Sequence, residues 1–116
     1  MNVPELIQKY IDTWNERDDA RRAELLEAAL TEDAVYSDPD HAGLNGRGEL
    51  SAAIGKAQAQ FGDLAFAVDN LVNVHHDKAL FRWRLGPVGA DSAVATGYDY
   101  VEFADGRIRR VIGFFE

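Results

Sequence analysis

The sequence contains no cysteine, which removes disulfides, thiolate metal sites and cysteine nucleophiles and is compatible with a reducing compartment. It is also short of positive charge: 12 lysines and arginines stand against 20 aspartates and glutamates, a formal net charge of -8. Such a balance argues against non-specific binding to nucleic acid or anionic lipid. The arginines gather late, at Arg82, Arg84, Arg107, Arg109 and Arg110, where a solvated sheet face accounts for them. No apolar run is long enough to span a bilayer, and the opening MNVPELIQKY carries charge where a secretory leader is apolar. The expectation is a soluble cytoplasmic protein with no nucleic-acid or membrane partner. Histidine is scarce, and His75 and His76 would point to opposite sheet faces if both were still in strand, which makes them poor joint metal ligands. No spacing matches a zinc site, so neither a metal nor a cofactor is expected.

What is present suits one globular domain over residues 1–116, with 47% hydrophobic residues and enough chain for a single core. Leu6, Ile7, Tyr10, Ile11 and Trp14 repeat at helical spacing, with Gln8, Lys9, Asp12, Thr13 and Glu16 elsewhere. Asn2 is placed to cap this helix, with Pro4 in its first turn and Glu5 where a capping box has its acid. The run NERDDARR breaks it, and Asp19 is the expected cap of a shorter helix with the face Leu25, Leu26, Ala29 and Leu30. A short strand through Tyr36 is expected next, then a turn-rich loop with Pro39 and three glycines. A third helix is predicted from about Arg47 to Phe61, burying Leu50, Ala53, Ile54, Ala57 and Phe61. Gly62 ends it.

From Leu64 the apolar period changes to two, and strands are predicted near 65–75, 79–86, 93–103 and 107–115. Asp105-Gly106 joins the last pair as a hairpin, HHDK makes a tight turn before it, and GPVGAD a looser one. Helices followed by an antiparallel meander define an α+β layer, helices packed on one sheet face.

One residue is out of place in this pattern. In GYDYVEF, Asp99 shares a face with Ala95, Gly97, Val101 and Phe103, while Thr96, Tyr98, Tyr100 and Glu102 take the other. A carboxyl on the apolar side is either paired with an arginine or backbone donors, or kept protonated. If Phe81 and Trp83 face inward, Arg82 and Arg84 face away and leave Asp99 without a counter-charge. Tyr10, on the buried stripe of the first helix, needs a partner for its hydroxyl or a cavity to donate into. Asp38 opens an Asp-Pro turn, and His41 follows in a polar loop.

The stretches YIDTWNERD, DAVYSDP, GYD and DGRIRRVIGFF occur in the order in which SnoaL-like domains carry YxxxWNxxD, DAVYxDP, GxD and DGRIxxVxGFF. The chain resembles these domains of the nuclear transport factor 2-like superfamily over essentially its whole length. The resemblance implies a cone-shaped roll, three N-terminal helices on a curved, mainly antiparallel sheet, closed around an apolar cavity. It implies a small hydrophobic ligand and a cofactor-independent isomerase, cyclase or dehydratase acting by proton transfer next to a carbonyl. The alternatives are a non-catalytic ligand-binding protein or a dimeric interaction module. Three positions are also similar to ketosteroid isomerase: Tyr10 and a protonated Asp99 would be oxyanion donors, and Asp38 the general base, with His41 the other candidate base. Trp14, Tyr36, His41, Phe61, Trp83, Val101 and Phe115 are the candidate substrate contacts. A homodimer through the outer sheet face, around Tyr98 and Tyr100, is compatible with each reading.

Overall fold

A computed structural model describes every residue from Met1 to Glu116. Helix α1 (Val3–Asn15) is capped by Asn2, whose side chain accepts the Glu5 amide at 3.0 Å. Its buried stripe is Leu6, Ile7, Tyr10 and Ile11 as the spacing predicts, with Trp14 half-buried at its end. Thr13, expected on the polar side, is fully buried as well. Its hydroxyl donates to the Tyr10 carbonyl at 2.6 Å, which satisfies it inside the core.

The WNERD stretch does not merely break the helix. The Asn15 side chain accepts the Phe66 amide at 2.8 Å and donates to the Phe66 carbonyl at 2.9 Å, which binds the end of α1 to an edge strand. Arg17 donates to the carbonyl of Gly62. Asp18 accepts the Arg21 amide at 2.8 Å and is therefore the cap of α2 (Asp19–Ala29), one residue earlier than the sequence suggests. Asp19 instead reaches Arg22, a buried cation that also donates to Ser51, Gln58 and the Glu16 carbonyl. Gln58 in turn donates to the Trp14 and Glu16 carbonyls, so a polar knot joins α1, α2 and α3. The knot is fully bonded, the condition under which a buried charge is tolerated. It also explains why Gln58, not Ala57, is buried alongside Leu50, Ala53 and Ile54 on α3 (Gly46–Phe61).

Strand β1 (Leu30–Asp38) is longer than expected, and the region expected as a loop holds a short strand, β2 (His41–Asn45), folded back on it. Polar, glycine-rich composition conceals such an edge strand, because its ladder bonds come from backbone alone. Strands β3 (Leu64–His75), β4 (Lys78–Pro87), β5 (Ala95–Ala104) and β6 (Arg107–Phe115) fall within two residues of their predicted bounds. Asp105 and Gly106 both have positive φ, 55° and 75°, as a two-residue hairpin requires.

All six strands form one sheet in the order β2-β1-β6-β5-β4-β3, antiparallel except for the parallel β1–β6 pair. The helices cover one face, and β1 and β2 lie between α2 and α3, so only two helices precede the sheet. Register shifts in β1–β2, β1–β6, β3–β4 and β5–β6 curl it around them. Asp99, Gly97, Val101 and Phe103 face inward and are buried, whereas Tyr98 and Tyr100 face outward.

His76 lies past the end of β3, in the HHDK turn. His76 has φ 52°, which takes it out of the strand's alternation and brings the two exposed rings together, Nδ1 to Nδ1 at 3.0 Å. No group of three or more histidines, aspartates or glutamates is arranged to hold a metal, and no helix is long and apolar enough to cross a membrane.

Gly97 pairs with Trp83 on β4 and Phe115 on β6. The Trp83 indole lies directly on its backbone, where a Cβ would overlap both the ring and the Phe114 carbonyl. Gly97→Ala is therefore expected to cost about 2 kcal/mol or more through overpacking. Denaturant unfolding of the variant against wild type measures this.

Candidate active site

The register brings the chemistry together. Phe81 pairs with Asp99, Asp99 with Gly113, and Ser37 with Ile112, so Asp38 follows at the level of Gly113. Phe81, Asp99, Gly113 and Asp38 thus form one row on the inner face. Gly113 leaves a gap between the two acids: a Cβ there would stand 3.0 Å from Asp99 Oδ1 and 3.4 Å from Asp38 Cβ. Tyr36, two residues before Asp38, shares its face.

Asp38 is an acceptor on every side. Its Oδ2 accepts from the Tyr36 hydroxyl at 2.5 Å, and its Oδ1 accepts from the Asp40 amide at 2.8 Å and lies 3.0 Å from His41 Nδ1. Its side chain is 5% exposed, against 34% for His41. The buried Tyr36 phenol is pushed well above its ordinary pKa, by burial first and then by the neighbouring Tyr10 and carboxyl groups, so it stays a donor.

Asp99 is 6% exposed and no arginine reaches it. Arg82 pairs with Asp69 and Glu116 on the outer side, and Arg84 donates to the Asp91 carbonyl. Burial pushes the Asp99 carboxyl up to about 7, the Trp83 indole opposes the shift, and the charge of Asp38 adds to it. Two neighbouring acids in one hollow thus differ in surroundings: Asp99 is pushed toward its protonated form, while Asp38 is ringed by hydrogen-bond donors.

A cavity of about 680 Å³ opens over this row, a volume typical of small-molecule sites. Among the expected contacts, Trp14, Tyr36, His41, Phe61, Trp83 and Phe115 line it together with Asp38 and Asp99. Tyr36, Trp14, Phe66, Trp83 and Phe115 form a continuous aromatic arc, with successive ring centroids 5.5 to 6.0 Å apart. Both tryptophans face inward without filling the space.

Tyr10 and Val101 are fully buried and do not line the cavity. The Tyr10 oxygen accepts the Trp14 indole N–H at 2.9 Å. It lies buried behind the cavity wall, and its hydroxyl is held well above the ordinary phenol range by burial first and the Asp99 charge second. Tyr36 is the phenol at the surface of the cavity.

Sequence reasoning missed Phe66, Lys56, Gln60 and Glu116, all of which line the cavity. Phe66 alternates with Leu64 and Val68 on the inner face of β3, a pattern legible in the sequence. Lys56 and Gln60 are four apart on one helical edge, but only the docking of α3 turns that edge toward the cavity. A smaller hollow of about 240 Å³ near Phe66 and the 86–92 turn contains no carboxyl or imidazole, so acid–base chemistry belongs to the larger one.

Comparison with solved structures defines the class of this architecture first: helices on a curled sheet of the nuclear transport factor 2 and ketosteroid isomerase type. A candidate isomerase of the SnoaL-like family from Agrobacterium tumefaciens is 33% identical over 97% of this chain and 95% of its own, with a TM-score of 0.85. A candidate ketosteroid isomerase from Kribbella flavida is 26% identical over 97% of this chain and 76% of its own, with a TM-score of 0.71. A candidate polyketide cyclase from Sinorhizobium meliloti shares the fold, at 23% identity over 95% of this chain and 94% of its own, with a TM-score of 0.72. Residues 7–111 match the SnoaL-like domain, and the chain belongs to that family. No curated protein matches it.

The raised pKa of Asp99 carries a sign for stability. Between an unfolded value near 3.8 and a folded value of about 7, the folded state holds the proton that the unfolded state has lost. Stability therefore falls as pH rises through this window and is level above it. Asp99→Asn removes the titration, and its stability relative to wild type is expected to be about 3 kcal/mol more favourable at pH 8 than at pH 5, at 1.36 kcal/mol per pKa unit. Urea midpoints at the two pH values test this, and a pH-independent difference would refute it.

Proposed function

We propose that the cavity is the active site of a cofactor-independent acid–base enzyme of the isomerase, cyclase or dehydratase type, acting on a small, largely apolar carbonyl compound. The observation that carries this reading is the inner row itself: an acceptor carboxylate and a protonatable carboxyl on either side of Gly113, under an aromatic arc. The Asp38–His41 pair removes a proton from carbon next to the carbonyl. Neutral Asp99 donates a hydrogen bond to the oxygen on which negative charge develops. The arc supplies apolar area for the rest of the molecule, and Tyr10 holds Trp14 in that arc from behind. The family relationship supports the reading, because the SnoaL-like relative from Agrobacterium tumefaciens is a candidate isomerase.

The same reading extends to assembly. On the outer face, Arg82, Tyr98 and Phe114 form one cross-strand row, and Leu80, Tyr100 and Ile112 the next. Phe114 is 55% exposed there. This mixed aromatic and polar surface is suited to a second copy of the chain.

Proton abstraction can be read without knowing the natural substrate. A panel of cyclic ketones in deuterated buffer is expected to include members whose α-protons exchange faster with the protein, followed by NMR. The Asp38→Asn/His41→Ala double variant abolishes the effect. Asp99→Asn keeps a donor, retains much of the activity and loses the decline that wild type shows as pH rises through 7. Binding without exchange across the panel would reduce the protein to a ligand carrier. Sedimentation at micromolar concentration is expected to find a dimer that Phe114→Glu dissociates; a wild-type monomer refutes the assembly.

A further inference from the structure

Within the reading of the cavity as an acid–base site, on which this step rests, we infer that the atom accepting the substrate proton is Nε2 of His41, with Asp38 and Tyr36 as positioning residues. The hydrogen bonds around Asp38 fix the tautomer. A backbone amide can only donate, so Oδ1 is an acceptor toward Asp40, and the Tyr36 phenol donates to Oδ2. The imidazole nitrogen that meets Oδ1 at 3.0 Å must then carry its own proton. In the neutral ring this leaves Nε2 with a free lone pair, and no protein group bonds it.

Exposure points the same way. Asp38 has three donors already seated and almost no surface, whereas a third of the His41 side chain is open and lines the cavity. A carboxylate saturated with donors is a poor base, yet it is the right partner to hold an imidazole and stabilise the cation that forms. The charges around the ring are mixed. Asp38 and Tyr36 face it from β1 and Asp40 from the turn, while Lys56 on α3, Asp99 on β5 and Glu116 line the same cavity.

The step balances without a co-reactant. In a β,γ-unsaturated ketone the C–H bond next to the carbonyl breaks, its proton goes to Nε2, and its electron pair becomes a C=C bond. The carbonyl π pair moves to the oxygen, which accepts a hydrogen bond from the Asp99 hydroxyl. The imidazolium, held by Asp38, returns the proton to the γ carbon of the dienolate, the oxygen pair re-forms the carbonyl, and the C=C bond has moved into conjugation. In a saturated ketone the proton returns to the α carbon and only exchange is seen. Lys56 lines the same cavity and takes no proton in this sequence.

Two readouts test the assignment. Nitrogen-15 NMR of the labelled wild-type protein at pH 8 is expected to show His41 with Nδ1 protonated and Nε2 bare; a protonated Nε2 would overturn it. In the ketone exchange assay, His41→Ala is expected to lose about 100-fold or more, with added imidazole restoring part of the rate. Asp38→Asn loses less, about tenfold, and mixes the two His41 tautomers in the nitrogen-15 spectrum, because the carboxylate that fixes Nδ1–H is gone. An active wild type with unimpaired His41→Ala and dead Asp38→Asn would return the base to the carboxylate. A wild type inert toward every ketone would instead sink the enzyme reading, and this assignment with it.

Discussion

Two carboxyl groups share one row on the inner face of this sheet with no arginine between them, and neighbouring like charges in a buried row raise each other's proton affinity. Asp38 and Asp99 lie on either side of Gly113. The arginines of β4 face the opposite side of the sheet and are occupied there. The structure relieves the conflict asymmetrically. Asp38 receives a phenol, an amide and an imidazole, whereas Asp99 receives only apolar walls and the Trp83 indole, and its proton affinity rises. Acceptor and donor roles follow from that difference in surroundings, since the two side chains are chemically identical.

The rest of the fold keeps this row in place. Arg22 and Gln58 lock the three helices to one another, and Asn15 ties the first of them to β3. That lock fixes the lip of the cavity, where Trp14 meets Tyr36 and Phe66. Gly97 lets the Trp83 indole approach the backbone of β5, and Gly113 keeps the space between the acids free of a side chain. Polar residues in the helices and glycines in the strands thus serve one end: a hollow that stays open above the Asp38–Asp99 row.

Much of this was legible in one dimension. Alternation over residues 64–115 located four strands within two residues and put Asp99 inside, because a period of two is a local property that burial enforces on every strand. The same alternation sent Arg82 and Arg84 outward and left Asp99 without a cation. Failures cluster where the cause is not local. The capping of α2 by Asp18 instead of Asp19 depends on how the chain leaves α1. Strand β2 is held by backbone bonds to β1, which composition does not encode.

The sequence by itself determined the classes of group available: carboxyl, phenol and imidazole without thiol, on helices and strands whose apolar faces must meet. Only the tertiary structure decided which of them share a cavity. It put Tyr10 behind the wall and Tyr36 on it, and joined His41 to Asp38. The reason is that strand register and helix docking set distances between residues far apart in the chain, and proton affinities respond to those distances and to burial rather than to neighbours in sequence.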